Sequence, residues 1–197
     1  MLDLHRNLFK GLESKVADIF SRLPFTPNQY TSLSIMAALA MLCLIAASHY
    51  IATLALFIVA AGLDFIDGAV ARKRGLATKR GAYWDTIADR YVEAILLFGL
   101  LFCQLPDFYL SAAAWIFLVL FGSTMTTYAK AAAKEKGLCD AELKGGLMSR
   151  AERLIAYFAI IILLLIDLYL AVAILAALAI LSNFTALQRI YCALKFK

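Results

Sequence analysis

The sequence predicts an all-α integral membrane protein, with six transmembrane helices preceded by an N-terminal interfacial amphipathic helix. Three observations point there. Of the 197 residues, 63% are apolar, against about 45–50% in soluble domains, and the mean hydropathy is +0.81. Apolar stretches recur at close to the ~20 residues that a bilayer-spanning helix needs. Arginine and lysine gather in alternate connections between those stretches, the signature of loops kept on one side of a membrane. The length fits a single domain over residues 1–197.

Leu2, Leu4, Leu8, Phe9, Leu12, Val16, Ile19 and Phe20 recur at helical spacing, with Lys10, Glu13, Lys15 and Asp18 between them. Residues 1–24 therefore read as a helix lying on a leaflet, tied down by its basic side chains. Pro24 and Pro27 end it, and Thr26-Pro27-Asn28-x-x-Thr31 leads into the first span. That turn reads equally as a simple helix start and as a ligand contact. Spans are expected at about 32–52, 52–71, 84–104, 108–130, 154–171 and 170–190. The breaks near 50, 106 and 167 carry no Arg or Lys, whereas the N-terminal segment, the 72–80 loop, the 130–153 loop and the C-terminus are rich in them. Both termini are thus expected in the cytoplasm, in a multi-pass protein of the cell membrane.

Several classes are excluded. Cys43, Cys103, Cys139 and Cys192 have no paired spacing, which argues for buried or inert thiols rather than a disulfide framework or a thiolate metal site. The only histidines, His5 and His49, are remote from the acidic residues, against zinc or non-haem iron. The charged start of the chain lacks the apolar core of a cleavable signal peptide. No internal repeat suggests an inverted-repeat transporter, and topology accounts for most of the basic residues, so no nucleic-acid partner is expected.

The chemistry lies in one motif: Asp64-x-x-Asp67-Gly68-x-x-Ala71-Arg72, then eight residues, then Gly81-x-x-x-Asp85-x-x-x-Asp89. A carboxylate at the centre of a membrane helix costs roughly 2.5–3.5 kcal/mol on insertion scales. Four of them require a neutraliser. Spacings of three and four put Asp64 with Asp67, and Asp85 with Asp89, on single helical faces. Two facing helices can then offer hard oxygen ligands to Mg²⁺ or Mn²⁺. Gly68, Ala71 and Gly81 give a floor of small residues on which a nucleotide could lie, although each glycine alone also suits helix packing. Arg72, just over a turn from Asp67, is placed to hold phosphate; Lys73, Arg74, Lys79 and Arg80 serve topology equally well.

With all eight motif positions present across 26 residues, the pattern resembles that of the CDP-alcohol phosphotransferases. The resemblance implies transfer of a phospholipid moiety from a CDP-linked lipid, CDP-diacylglycerol or CDP-archaeol, to the hydroxyl of a small polar acceptor, with release of CMP. It implies that Asp64, Asp67, Asp85 and Asp89 bind two divalent ions, Mg²⁺ with Mn²⁺ as a substitute, and that Asp89 doubles as the base. Gly68, Ala71, Arg72, Thr78 and Gly81 would lie against the CDP group, joined by Asn28 and Thr31 on the ligand-contact reading of their turn. No Ser-His or Cys-His pair suggests a covalent route, so direct in-line displacement is expected.

Tyr128-Ala129-Lys130, Gly146-Leu147-x-x-Arg150-x-Glu152-Arg153-Leu154 and Asp89-Arg90 resemble the branch of that family that makes phosphatidyl- or archaetidylinositol phosphate. This implies inositol 1-phosphate as acceptor, its phosphate held by Lys130, Arg150, Arg153 and Arg189. Ser149 and Ala151 stand where that branch has an acidic residue and a proline. Glycerol 3-phosphate and serine are the alternatives within the family. An intramembrane prenyltransferase, or a divalent-cation carrier, is a remoter reading. Small residues and exposed apolar spans make a homodimer plausible.

Overall fold

A computed structural model describes residues 6–138 and 147–195. Among them it has seven helices: α1 (Arg6–Phe20), α2 (Pro27–Ala46), α3 (Tyr50–Lys73), α4 (Lys79–Leu100), α5 (Ala112–Glu135), α6 (Arg150–Leu163) and α7 (Leu168–Lys195). The fold is all-helical, and α2, α3, α5 and α7 are each long and apolar enough to cross a membrane. The protein is thus a multi-pass membrane protein. α4 falls outside that set because it carries Arg80, Asp85, Asp89, Arg90 and Glu93. α6 falls outside because its 14 residues extend only about 21 Å.

The expected span boundaries shift where local signals override hydropathy. The first span begins at Pro27 rather than near 32, since proline at the first helical position already has a helical φ, and the Gln29 side chain accepts the Thr26 N–H at 2.7 Å. It ends at Ala46 rather than 52, because Ser48 turns left-handed (φ 60°). Where the third span is expected at 84–104, α4 runs over 79–100, its start capped by Thr78, whose Oγ1 accepts the Gly81 N–H at 3.0 Å. The fourth spans 112–135 rather than 108–130; Ser111 Oγ accepts the Ala114 N–H, and Gly137 (φ 65°) stops the chain with Leu138 N–H on Ala133 O at 2.9 Å. The expected fifth span of 154–171 is cut at Leu163, and α7 starts anew at Leu168, where Asp167 Oδ1 accepts the Leu170 N–H at 3.1 Å. Gly75 (φ 65°) closes α3 in the same way as Gly137 closes α5, with Leu76 N–H on Ala71 O.

By their internal contacts the residues form two compact units. One comprises the chain up to Cys43 with Ala55–Ile95, and holds α1 and most of α2, α3 and α4. Its core is Tyr30, Ile66 and Val70, with Val16, Phe20 and Leu63 packed on it, so the apolar face of α1 covers the lower turns of α2 and α3. Polar ties reinforce this seat. Asp18 pairs with Lys73, and Arg74 gives its guanidinium to the carbonyls of Ser21, Leu23 and Phe25, the stretch that links α1 to α2. Those carbonyls at a helix end would otherwise lack partners.

The other unit comprises Leu44–Leu54 and the chain from Leu96 onward. α7 packs along α5 and α6, burying a stripe of Ala171, Leu175, Ala179, Ser182 and Ala186. Lipid tails are as apolar as leucine, so close packing and hydrogen bonds, not water exclusion, hold such helices together. Asn183 Nδ2 donates to Leu118 O at 2.8 Å, and Gly122 makes room for it: a Cβ there would sit 2.8 Å from the Asn183 amide. Cys43, Cys103 and Cys192 are free thiols; Cys43 and Cys192 are exposed and Cys103 is half-buried. Cys139 and Gly146 lie outside the described residues.

Candidate active site

The end of α3 and the start of α4 bring three of the motif's four carboxylates together. One ligand oxygen from each of Asp64, Asp67 and Asp85 lies within 4.8 Å of the others. Asp67 is the buried member, 6% exposed, and accepts a hydrogen bond from Thr31 Oγ1 at 2.6 Å. Thr31 comes from the first turns of α2, so three helices meet at this carboxylate. Asp89, one turn beyond Asp85 on α4 and half-buried, lies outside the trio.

Beside the trio opens a cavity of about 180 Å³, lined by Asp67 and Asp85 together with Asn28, Thr31, Gly68, Ala71, Arg72, Thr78 and Gly81. Every residue expected against a CDP group lines this one cavity. Pro27 of the turn into α2 completes the wall with Leu76, Ala77 and Ala82; the last three, small or apolar, carry no chemical signal of their own in the sequence. The two glycines are spatially demanding. A Cβ on Gly81 would stand 3.2 Å from Thr78 Oγ1 and 3.3 Å from Asn28 Oδ1, and one on Gly68 would stand 3.3 Å from Arg72 Nη1. Arg72 itself is paired through Nε with Glu13 Oε1 at 2.7 Å. The cavity also meets the first turn of α4, where the helix dipole favours negative charge.

Three carboxylate oxygens this close repel one another unless a cation stands among them. An all-oxygen donor set with one member fixed by a hydroxyl suits Mg²⁺ or Mn²⁺, so the residues fit a divalent ion. Negative donors on one wall and Arg72 on another allow the cavity to hold a cation together with a phosphorylated ligand.

The residues expected around the acceptor's phosphate belong to the other unit. Arg189 on α7 donates from Nη1 to Thr126 O of α5 at 2.8 Å. Its charge interacts with that of Arg153 on α6, which is only 3% exposed. Lys130 and Arg150 are half-buried, on α5 and at the first position of α6. The start of α6 is fixed by the Ser149 N–H on Glu152 Oε2 at 2.6 Å.

Known proteins resemble this chain in sequence and in fold. The family profile described as CDP-alcohol phosphatidyltransferase matches residues 25–184. An archaetidylinositol phosphate synthase of Pyrococcus horikoshii is 32% identical over 99% of this chain and 97% of its own. A phosphatidylinositol phosphate synthase of Corynebacterium glutamicum is 37% identical over 79% of this chain and 71% of its own. Among solved structures, the phosphatidylinositol phosphate synthase of Mycobacterium tuberculosis with CDP-DAG bound superposes with a TM-score of 0.79 at 27% identity, covering 93% of this chain and 94% of that one. The same enzyme in complex with manganese and citrate also gives 0.79, covering 93% and 89%. With its acidic motif assembled between α3 and α4 and this likeness running nearly end to end, the chain belongs to the CDP-alcohol phosphatidyltransferase family.

Proposed function

We propose that this transferase moves a phospholipid moiety from a CDP-linked lipid to a hydroxyl of inositol 1-phosphate and releases CMP. The observation that carries the reading is the single cavity that gathers Asp67 and Asp85 with all seven residues expected to meet the CDP group. The relatives named for inositol phosphate products favour this acceptor over glycerol 3-phosphate or serine. Two divalent ions held by Asp64, Asp67, Asp85 and Asp89, Mg²⁺ or Mn²⁺, would neutralise the pyrophosphate and stabilise the departing CMP oxygens.

The chain's own residues do the rest. Gly68, Ala71 and Gly81 let the nucleotide lie close to the backbone, and Asn28 and Thr78 offer polar atoms at its rim. Arg72 binds phosphate oxygens as a guanidinium. Thr31 fixes Asp67 in one orientation. Asp89, set apart from the trio, takes the proton of the acceptor hydroxyl as the new oxygen–phosphorus bond forms and the bond to CMP breaks. Lys130, Arg150, Arg153 and Arg189 hold the acceptor's phosphate. α4 and α6 complete six membrane passes, α1 lies in the interface, and the termini and active site face the cytoplasm at the cell membrane, where a homodimer forms.

An acceptor panel tests this. Purified protein, CDP-diacylglycerol or CDP-archaeol and Mg²⁺ are assayed for CMP release with inositol 1-phosphate, inositol, glycerol 3-phosphate and serine in turn. Inositol 1-phosphate is expected to be the best acceptor. Faster release with glycerol 3-phosphate or serine overturns the assignment.

A further inference from the structure

We infer that Glu13 of α1 is a positioning residue for Arg72, which makes the N-terminal helix part of the donor-binding machinery. The inference rests on the proposed role of Arg72 toward the CDP-linked lipid. Glu13 and Arg72 are 59 residues apart, yet Glu13 Oε1 accepts from Arg72 Nε at 2.7 Å. The other end of the guanidinium sits over Gly68, its Nη atoms 3.3 and 3.4 Å from where a Cβ would be. Both Gly68 and Arg72 line the cavity. One edge of the fork is therefore gripped from α1, and the remaining Nη donors are presented across the glycine to whatever phosphate enters.

Glu13 is not needed to keep α1 in place. The Asp18–Lys73 pair, the grip of Arg74 on the Ser21, Leu23 and Phe25 carbonyls, and the packing of Val16 and Phe20 already hold it. Nor does the pair serve as a stabilising ion pair, since its side chains are 59% and 30% exposed and pairs of that kind contribute little. What the contact does is restrict a long, rotamer-rich side chain before the ligand arrives, which removes an ordering cost from binding.

The test uses the full-length protein in detergent, with CDP-diacylglycerol and Mg²⁺, and measures equilibrium binding by calorimetry beside kcat and KM. Glu13→Ala is expected to raise Kd and the donor KM about three- to tenfold at unchanged kcat. Glu13→Gln keeps an acceptor oxygen for Nε and is expected to restore most of the affinity. Asp18→Asn removes one ion pair of α1 while Arg74, Val16 and Phe20 keep the helix seated, and it is expected to bind as the unmutated protein does. Unchanged or tighter binding by Glu13→Ala overturns the inference, as does an equal loss in Asp18→Asn. Arg72→Ala separates the two levels. If it binds normally, the reading of the cavity fails; if it weakens binding while Glu13→Ala does not, only the inference fails.

Discussion

Thr31 Oγ1 stands 2.6 Å from Asp67 Oδ2, a contact between residues 36 positions apart that fixes the one buried carboxylate of the acidic trio. The same hydroxyl lies 3.2 Å from Pro27 O. A hydroxyl has one proton, and the shorter, charge-assisted partner takes it. The expected result of Thr31→Val, which keeps shape and removes the proton, is a loss of about 1–3 kcal/mol in divalent-ion binding, because Asp67 is left free to rotate and short of a partner. Thr31→Ser should retain most of the affinity. A Mn²⁺ titration in the presence of CDP-diacylglycerol reads both; equal affinities for the Val variant and the parent would remove Thr31 from the site.

Gly81→Ala should separate binding from stability. A new Cβ would press on Thr78 Oγ1 and Asn28 Oδ1 at 3.2 and 3.3 Å, narrowing the cavity at its rim. Alanine in a helix is otherwise favoured over glycine by about 0.8–1 kcal/mol. Tm is therefore expected to hold or rise while CDP-lipid affinity falls. A variant that loses both would mean that Gly81 serves helix packing alone.

The motif and its cavity were legible in the sequence because they break its dominant rule: carboxylates, glycines and an arginine at helical spacing have no place in a membrane helix unless they meet something polar. What was not legible came from tertiary placement. Nothing in the local sequence around Glu13 or Arg74 says that one meets Arg72 and the other three carbonyls between α1 and α2. Leu76, Ala77 and Ala82 are ordinary residues that become walls only when α3 and α4 fold together. Helix ends moved for a similar reason. Hydropathy is blind to single capping groups, so the starts set by Thr78, Ser111 and Asp167 differ from the ends of the apolar runs.

Asp89 should part company with the other aspartates. Because Asp64, Asp67 and Asp85 cluster and Asp89 stands a turn away, Asp64→Asn, Asp67→Asn and Asp85→Asn are expected to weaken both divalent-ion and CDP-lipid binding. Asp89→Asn is expected to abolish CMP release while donor binding stays measurable. Chelation should silence the unmutated protein, and Mg²⁺ or Mn²⁺ should restore it. Turnover near the parent's rate in Asp89→Asn would place the base elsewhere.

On the proposed reading, acceptor choice turns on the cationic set of α5, α6 and α7. Arg150→Ala and Lys130→Ala are expected to raise KM for inositol 1-phosphate by the equivalent of about 1.5–3 kcal/mol, the worth of a charge-assisted contact, and to leave CDP-lipid affinity unchanged. Arg189→Ala should act in the same direction but more weakly, since one of its donors is already committed to Thr126 O. Arg153 is a harder probe. At 3% exposure its truncation would open a cavity and disturb folding, so Arg153→Lys, which keeps charge and most of the volume but loses the planar fork, is the informative change. Unphosphorylated inositol is the control: each variant should move the phosphorylated acceptor and spare the neutral one. If the parent protein uses inositol as readily as inositol 1-phosphate, these four residues have no acceptor role, and their positive charge serves membrane topology alone.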